Sequence, residues 1–298
     1  MSEHAAPHNV AIATLASRHP AAVDDRYLVA ALAARGIAAE MAVWDDPGVD
    51  WGRFDLCIVR STWDYDRPYR IAAFRAWIDH VAERTLLWNP PEVLRWNLDK
   101  RYLRDLAARG VPVPETVWLE RGARASLAAI LAEHGWREAV VKPVVSASAR
   151  ETMRVARDEL VAAQRRLEEN LAREAMMVQA FLPEVVSRGE LSLMFIDGAF
   201  THAVHKRPAA GDFRVQIEHG GSEVRMEPEP AVVAAGERVL RAVGDATLPY
   251  ARVDLVPRDA GEPLLLELEL VEPSLFLGLC PQAAERLADA AVAAMGRG

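Results

Sequence analysis

Short apolar runs alternate along the first third of the chain with segments whose apolar positions recur every three or four residues. Residues 10–15, 38–43, 54–59 and 85–88 read as buried strands, and 27–35 and 69–83 as helices. Asp24-Asp25 opens the first helix and Gly36 closes it. Strands alternating with helices predict a parallel, doubly wound sheet, with ligands bound beyond the carboxyl ends of its strands. Asn89-Pro90-Pro91 marks a boundary. Residues 91–109 follow as one helix carrying Lys100 and closed by Gly110, then Val111-Pro112-Val113-Pro114 as an extended linker.

The remainder has shorter elements. Strand 116–119, helix 126–134 with Ser126 as N-cap, strand 139–145 and a returning strand 152–155 are separated by a loop of small residues, Ser146-Ala147-Ser148-Ala149. Pro143 places the 139–145 strand at a sheet edge or at its own end. A charged amphipathic helix (159–173) precedes the apolar run 176–183. Asp197-Gly198 turns a hairpin of 190–196 and 199–206, and helix 230–243 leads to strands 250–256 and 264–270. The fold class is therefore α/β, passing to α+β in the C-terminal half. Three domains are expected: 1–97 with the parallel sheet, 98–180, and 181–298. Residues 1–8 read as a loose leader.

The last two strands carry acids where a core strand should be apolar. Glu267 and Glu269 are two apart and leave one face; in a hairpin Asp254 joins them. Crowded carboxylates repel unless one keeps its proton or a cation intervenes, and hard oxygen ligands suit Mg²⁺. An edge strand turning its acids to water would show the same spacing. Lys142, inside an apolar strand, must find an anion or lose its charge. The loop after it brings small residues to where phosphate could approach backbone N–H groups. Directly after the third strand stand Arg60-Ser61-Thr62-Trp63-Asp64-Tyr65. There Arg60 could grip a substrate carboxylate, Ser61 and Thr62 could donate hydrogen bonds, and Trp63 could wall a pocket. Lys206 fits a phosphate, a substrate or a solvated strand face equally well. His202, His205 and His219 fit local hydrogen bonding better than metal binding.

Composition narrows the function. The 298 residues are 51% hydrophobic and 26% charged, an ordinary globular balance. A formal charge of −8 leaves no basic stripe for nucleic acid. No signal region or membrane-length apolar run appears, so a cytoplasmic location is expected. Cys57 and Cys280 each sit in an apolar run and read as free buried thiols. No G-x-G-x-x-G follows the first strand, which argues against a dinucleotide site.

These pieces, in order, resemble the ATP-grasp superfamily over roughly residues 90–280. They are Lys100, Val141-Lys142-Pro143, Gln179-Ala180-Phe181-Leu182, Gly189-Glu190, Gly211-Asp212-Phe213-Arg214 with Gly220-Gly221, and Asp254 with Glu267-x-Glu269. The Gly-Asp-Phe-Arg phrase is similar to ligases that add glutamate to a ribosomal protein. The phrases 59–65 and 266–276 look closest to the O-ureido-serine cyclo-ligases of the cycloserine pathway.

The resemblance implies an ATP-grasp fold with an N-terminal substrate domain and two subdomains clamping ATP. It implies a ligase that makes an acyl phosphate from a small amino-acid-like acid, and an amine that attacks it, within the same molecule or from another. In the family's terms Lys100 and Lys142 reach the phosphates beside Ser146 and Ser148, and the Gln179–Leu182 backbone (179–182) binds adenine. Glu184 or Glu190 takes the ribose, and Arg214 touches the γ-phosphate. Asp254, Glu267 and Glu269 hold one or two Mg²⁺, with Mn²⁺ as a substitute. Lys206 and Gly221 fall near the substrate, with Arg60, Ser61, Thr62 and Trp63. A homodimer through the N-terminal sheet is compatible with the family. The sequence departs from it in a phosphate loop without glycine and in Glu269, where asparagine is usual. A nucleotide-binding protein without ligase activity is the rival of another class.

Overall fold

A computed structural model describes residues 8–17, 24–156, 159–258 and 260–296. The expected leader therefore lies outside the described residues, apart from His8. The chain starts with β1 (Asn9–Thr14), α1 (Asp25–Ala33), β2 (Ala38–Val43), β3 (Leu56–Ser61), α2 (Ile71–Ala82) and β4 (Leu86–Trp88). The strands form a parallel sheet in the order β2-β1-β3-β4. Alternation along β1 sends Val10 and Ile12 to one core with Leu28 and Leu32 of α1. Ala11 and Ala13 go to the opposite core with Phe74, Trp77 and Ile78 of α2. The doubly wound expectation is met.

The segment 91–109 is not one helix. It divides into α3 (Pro91–Asn97) and α4 (Tyr102–Ala108), and Lys100 lies in the turn between them. The Lys100 N–H donates to Val144 O at 2.9 Å, so it cannot serve an intrahelical bond. Next come β5 (Thr116–Leu119), α5 (Leu127–Glu133), β6 (Glu138–Pro143), β7 (Met153–Ala156), α6 (Leu160–Leu171) and β8 (Met176–Ala180). Their antiparallel sheet runs β5-β8-β6-β7. β6 is internal, so Pro143 marks the strand's end and not an edge: β7 pairs only as far as Val141. This sheet has its own core, from Leu127 to Val178.

The last part holds α7 (Glu184–Ser187), β9 (Glu190–Ile196), β10 (Ala199–Arg207), β11 (Ser222–Met226), α8 (Pro230–Val243), β12 (Tyr250–Val256), β13 (Leu264–Glu269) and α9 (Pro281–Met295). Its sheet has the order β11-β10-β9-β12-β13. Neither β11 nor α9 follows from the sequence reading. β11 is an edge strand with little burial, and α9 packs alanines against α1. Among the described residues no helix is long and apolar enough to cross a membrane. Both cysteines are free and buried.

The first and last parts are joined through buried polar groups. Asn89 Nδ2 donates to Tyr250 O at 3.0 Å and Leu270 O at 2.7 Å. The Tyr250 hydroxyl lies 2.9–3.0 Å from Val59 O, Trp88 O and Val271 O, and its proton serves one of them at a time. Asn89→Ala leaves two buried carbonyls without their donor. It should lower unfolding stability by about 2 kcal/mol, read as a lower urea midpoint at unchanged slope. An unchanged midpoint would mean that this junction carries no stability.

Candidate active site

The hairpin register sets the site. Asp254 on β12 pairs with Glu267 on β13, and Arg252 with Glu269, so all four side chains share a face. On the neighbouring strands Ser192 pairs with Asp254, and Lys206 with Glu190. One oxygen from each of Asp254, Glu267 and Glu269 lies within 4.8 Å of the others. β13 is indeed an edge strand, but its acids look into a cavity of about 780 Å³ and not out into bulk water.

Four cations answer these acids. Lys142 Nζ, on β6, is 2.8 Å from Glu267 Oε1, and Lys100 Nζ is 3.6 Å from the same oxygen. Arg252 donates to both oxygens of Asp254, at 2.9 and 3.0 Å, and also to Glu269. Lys206 Nζ lies 3.4 Å from Asp254 Oδ2 and pairs with Glu190. Ser192 Oγ donates to Asp254 Oδ1 at 2.5 Å. Lys206 is 4% exposed, so the solvated alternative for it is excluded.

The resulting charge states differ along the site. Burial alone would raise Glu267, but Lys100 and Lys142 overcome it and hold the carboxyl well below its usual range. Burial likewise works against ionised Asp254, and Arg252 with Lys206 reverses it. Glu269 stays raised: burial outweighs Arg252, and Asp254 and Glu267 repel it. Burial pushes Glu190 up to about 7 against the pull of Lys206. Glu272 goes up to about 8, by burial and by Glu269 beside it. Three hard carboxylates within one ion's reach, one raised by burial and by its neighbours' charge, fit a divalent cation.

The same cavity is lined by Lys100, Lys142, Ser146, Ser148, Gln179, Ala180, Phe181, Leu182, Glu190, Lys206, Arg214 and Trp63. The 179–182 backbone offers fewer donors than expected. The N–H groups of Ala180 and Phe181 are already spent on Glu115 O and Glu138 O, at 2.9 and 3.2 Å. Arg214 lines the cavity but is forked onto Asp212, at 2.7 Å for the shortest bond. That pairing holds the Asp212 carboxyl far below its usual range.

Five expected residues stand elsewhere. Arg60 is 2% exposed and does not line the cavity; its Nε donates to Asp25 at 2.9 Å and its Nη1 to Pro273 O at 2.8 Å. Ser61 bonds Asp25 and Thr14 behind the same wall, and Thr62 is buried with it. The end of β3 is thus a structural joint, because Asp25 of α1 takes the cation that was expected to meet substrate. Glu184 begins α7 and is not on the cavity wall. Gly221 is not on it either: a Cβ there would meet Val215 O at 2.1 Å, so close backbone approach explains the glycine. Sequence reading missed Arg252, Tyr65 and Glu272, which do line the cavity. The signal for Arg252 was its place two residues before Asp254 on one strand face.

The histidines serve local bonds. His202 Nε2 is 3.0 Å from Leu275 O and Nδ1 is 2.9 Å from Thr201 Oγ1, while His205 Nε2 is 2.6 Å from Arg188 O. Among the described residues no histidine joins the acidic cluster.

With that geometry in place, the chain can be compared with known proteins. Residues 10–89 match the N-terminal domain of D-cycloserine synthetase DcsG, and residues 113–259 the ATP-grasp domain of prokaryotic glutathione synthetase. The cycloserine biosynthesis protein DcsG of Streptomyces lavendulae is 35% identical over 94% of this chain and 97% of that protein. The chain belongs to the ATP-grasp ligases. The ATP-grasp assignment extends to structure: the crystal structure of D-cycloserine synthetase DcsG superimposes with a TM-score of 0.87 at 34% identity, over 96% of this chain and 99% of that one. Glutathione synthetase of Parasynechococcus marenigrum (strain WH8102) is 30% identical over 76% of this chain and 74% of its own length. The D-alanine–D-alanine ligase of Bacillus anthracis, complexed with ATP, shares the fold at a TM-score of 0.70 and 16% identity, covering 98% of both chains. ATP-grasp ligases join a carboxylate to an amine and use ATP with divalent metal ions.

Two outcomes test this electrostatic description. Lys206→Ala should destabilise the metal-free protein by about 3 kcal/mol, by leaving Glu190 without its cation and Asp254 with Arg252 as its remaining one. Millimolar Mg²⁺ should then raise Tm more in the variant than in the unaltered protein; an equal rise would separate Lys206 from the cation site. His202 is lowered from 6.5 to about 4 by burial, so the unfolded chain takes up its proton first. Its contribution is present above about pH 6.5 and is lost as pH falls toward 4, about 3 kcal/mol at most. His202→Gln should flatten the Tm-against-pH curve in that window, and parallel curves would contradict the assignment.

Proposed function

We propose that this chain is an ADP-forming cyclo-ligase. It activates the carboxylate of a small amino-acid-like substrate for attack by an amine of the same molecule, releasing ADP and phosphate. The observation that carries the reading is the meeting of Lys142 from β6 with Glu267 in the acidic cluster, at 2.8 Å inside one cavity. The end-to-end likeness to DcsG, including its N-terminal domain, favours cyclisation. The glutathione synthetase match over residues 113–259 supports intermolecular peptide formation as the second reading. A binding protein without activity would have no need of three acids gathered within one cation's reach.

Asp254, Glu267 and Glu269 would hold Mg²⁺ with ATP, whose γ-phosphoryl group would turn a carboxylate, a poor electrophile, into an acyl phosphate. Lys100 and Lys142, which line the cavity with Ser146 and Ser148, would hold the phosphates, and residues 179–182 would flank the base. Arg252, buried and fixed by Asp254, would stabilise the charge growing on the acyl oxygen from a desolvated position. Arg214 can reach the terminal phosphate after leaving Asp212. Trp63, Tyr65 and Glu272 wall the substrate end and keep water from the activated acid. With both reacting groups in one molecule, holding the acid also holds the amine, and ring closure gains from high effective concentration.

The test is ADP release with Mg²⁺ against a panel of amino-acid-like acids, O-ureidoserine among them, followed by product mass. Cyclisation gives a product lighter than the acid supplied. A product heavier than the acid would replace this reading with intermolecular ligation. Lys142→Ala and Glu267→Ala should each reduce ADP release at least a hundredfold with unchanged circular dichroism. Retained turnover in either would remove that residue from the mechanism.

A further inference from the structure

The loop between β6 and β7 has no glycine, yet Ser148, Ala149 and Glu151 take φ of 48°, 53° and 51°. L residues rarely hold that conformation unaided. What holds it is Arg150. Its Nε donates to Asp66 Oδ2 at 2.7 Å, and its two terminal nitrogens grip Glu174 at 2.8 and 2.7 Å. Nη2 also reaches Asp66 O at 3.0 Å and Val145 O at 2.8 Å. Asp66 Oδ2 accepts a further bond from Ala147 N–H at 3.1 Å. The pair is deeply buried, with Asp66 2% and the Arg150 side chain 11% exposed.

The two partners come from different parts of the chain. Glu174 lies in the turn between α6 and β8, the last strand of the sheet that bears the loop, so its bond to Arg150 is internal to that part. Asp66 follows Trp63 and Tyr65, which wall the substrate end, and precedes α2 of the N-terminal sheet. Ser146, Ala147, Ser148 and Ala149 line the cavity beside Lys100 and Lys142. Lys100 Nζ donates to Ser146 O at 2.8 Å, so the loop also touches a phosphate-binding candidate directly. Neither Asp66 nor Arg150 lines the cavity.

We propose that Arg150 and Asp66 form a positioning pair that latches the nucleotide loop to the substrate-side wall, so that nucleotide affinity depends on two residues that do not touch the nucleotide. The inference rests on the ligase reading above, because it takes residues 146–149 as the phosphate loop. Its physical content is reciprocal. If the wall formed by Trp63 to Asp66 supports the loop, an ordered wall strengthens nucleotide binding, and a bound nucleotide orders the wall to the same degree.

The experiment is calorimetric titration of the full chain with a non-hydrolysable ATP analogue and Mg²⁺. Arg150→Lys, Asp66→Asn and the double variant are compared with the unaltered protein, and Tm is recorded for each. Lysine keeps the charge and loses the fork; asparagine keeps the shape and loses the charge. Asp66→Asn should weaken Kd about tenfold, Arg150→Lys at least as much because it also loosens the grip on Glu174, and the double variant no more than Arg150→Lys, because Asp66 acts through Arg150. In turnover, both should release more than one ADP per product, as water reaches the activated acid through a loose loop. Variants that melt lower but bind the analogue with unchanged Kd would reduce the pair to a structural role and overturn the proposal. Additive losses in the double variant would overturn it too. Failure of the unaltered protein to bind the analogue would instead strike the ligase reading, and the latch with it.

Discussion

Carboxylates crowded in a buried place must be answered by cations, and the rest of this structure follows from how that is done. Asp254, Glu267 and Glu269 converge on one face of a hairpin, with Glu190 beside them. Leaving any of them ionised and unpaired would cost several kcal/mol. The chain answers from three directions: Arg252 along the same strand, Lys206 from β10, and Lys100 and Lys142 from across the cavity. The last two draw the central sheet down onto the C-terminal one. Each partner of the Lys142–Glu267 pair can equally be satisfied by an outside ion of opposite sign. A cation at the acids together with a polyanion at the lysines thus replaces one set of pairs by another without leaving a buried charge alone.

The parts of the molecule are joined in two ways, by shared apolar core and by buried charge. The N-terminal sheet, α9 and strands β9, β10 and β12 share one apolar core, and Asn89, Tyr250 and Arg60 stitch the same boundary with buried hydrogen bonds. Helix α4 packs into the core of the C-terminal sheet. The central sheet keeps a core of its own from Leu127 to Val178. It meets the other parts through the ion pairs Lys142 with Glu267 and Arg150 with Asp66, and through Met177 and Trp118 at the C-terminal core. Apolar cores fix relative position by area and shape, whereas ion pairs can be exchanged for ligand contacts.

How much of this was legible in the sequence depends on the period involved. The acidic hairpin was readable because a strand's side chains alternate strictly, so Glu267 and Glu269 had to share a face. Lys142 was readable because charge inside an apolar strand demands a partner. The strand-end rule located the Arg60 segment correctly but gave no direction for its side chains: Arg60 turns into Asp25, and only Trp63 and Tyr65 reach the cavity. Lys100 looked helical because the helix pattern continues through it, and only the tertiary bond to Val144 O breaks the run. α9 escaped notice because its buried face is mostly alanine, which contrasts weakly with its exposed alanines. The Asp66–Arg150 pair spans 84 positions, and no spacing rule reaches that far.

The cavity is graded in charge, and the gradient bears on what it can activate. At the acidic hairpin, Asp254 and Glu267 are kept ionised by cations packed against them. A few residues on, Glu272 is buried beside Tyr65 and pushed up to about 8, so near neutrality it is largely a hydrogen-bonding acid and not a charge. The Trp63 indole donates to its backbone oxygen at 3.0 Å and closes that end. In the proposed reaction, charge developing on a carboxyl would therefore be stabilised at one end only, beside Arg252 and the lysines. The other end offers a weakly charged wall, where a small polar group can sit without competing for those cations. In the proposed ligase a carboxylate lying across that gradient would be oriented before reaction, with its acyl oxygen toward the cations and the remainder toward Trp63 and Tyr65. The same charge pattern that stabilises the fold would thus also set the direction in which the substrate lies.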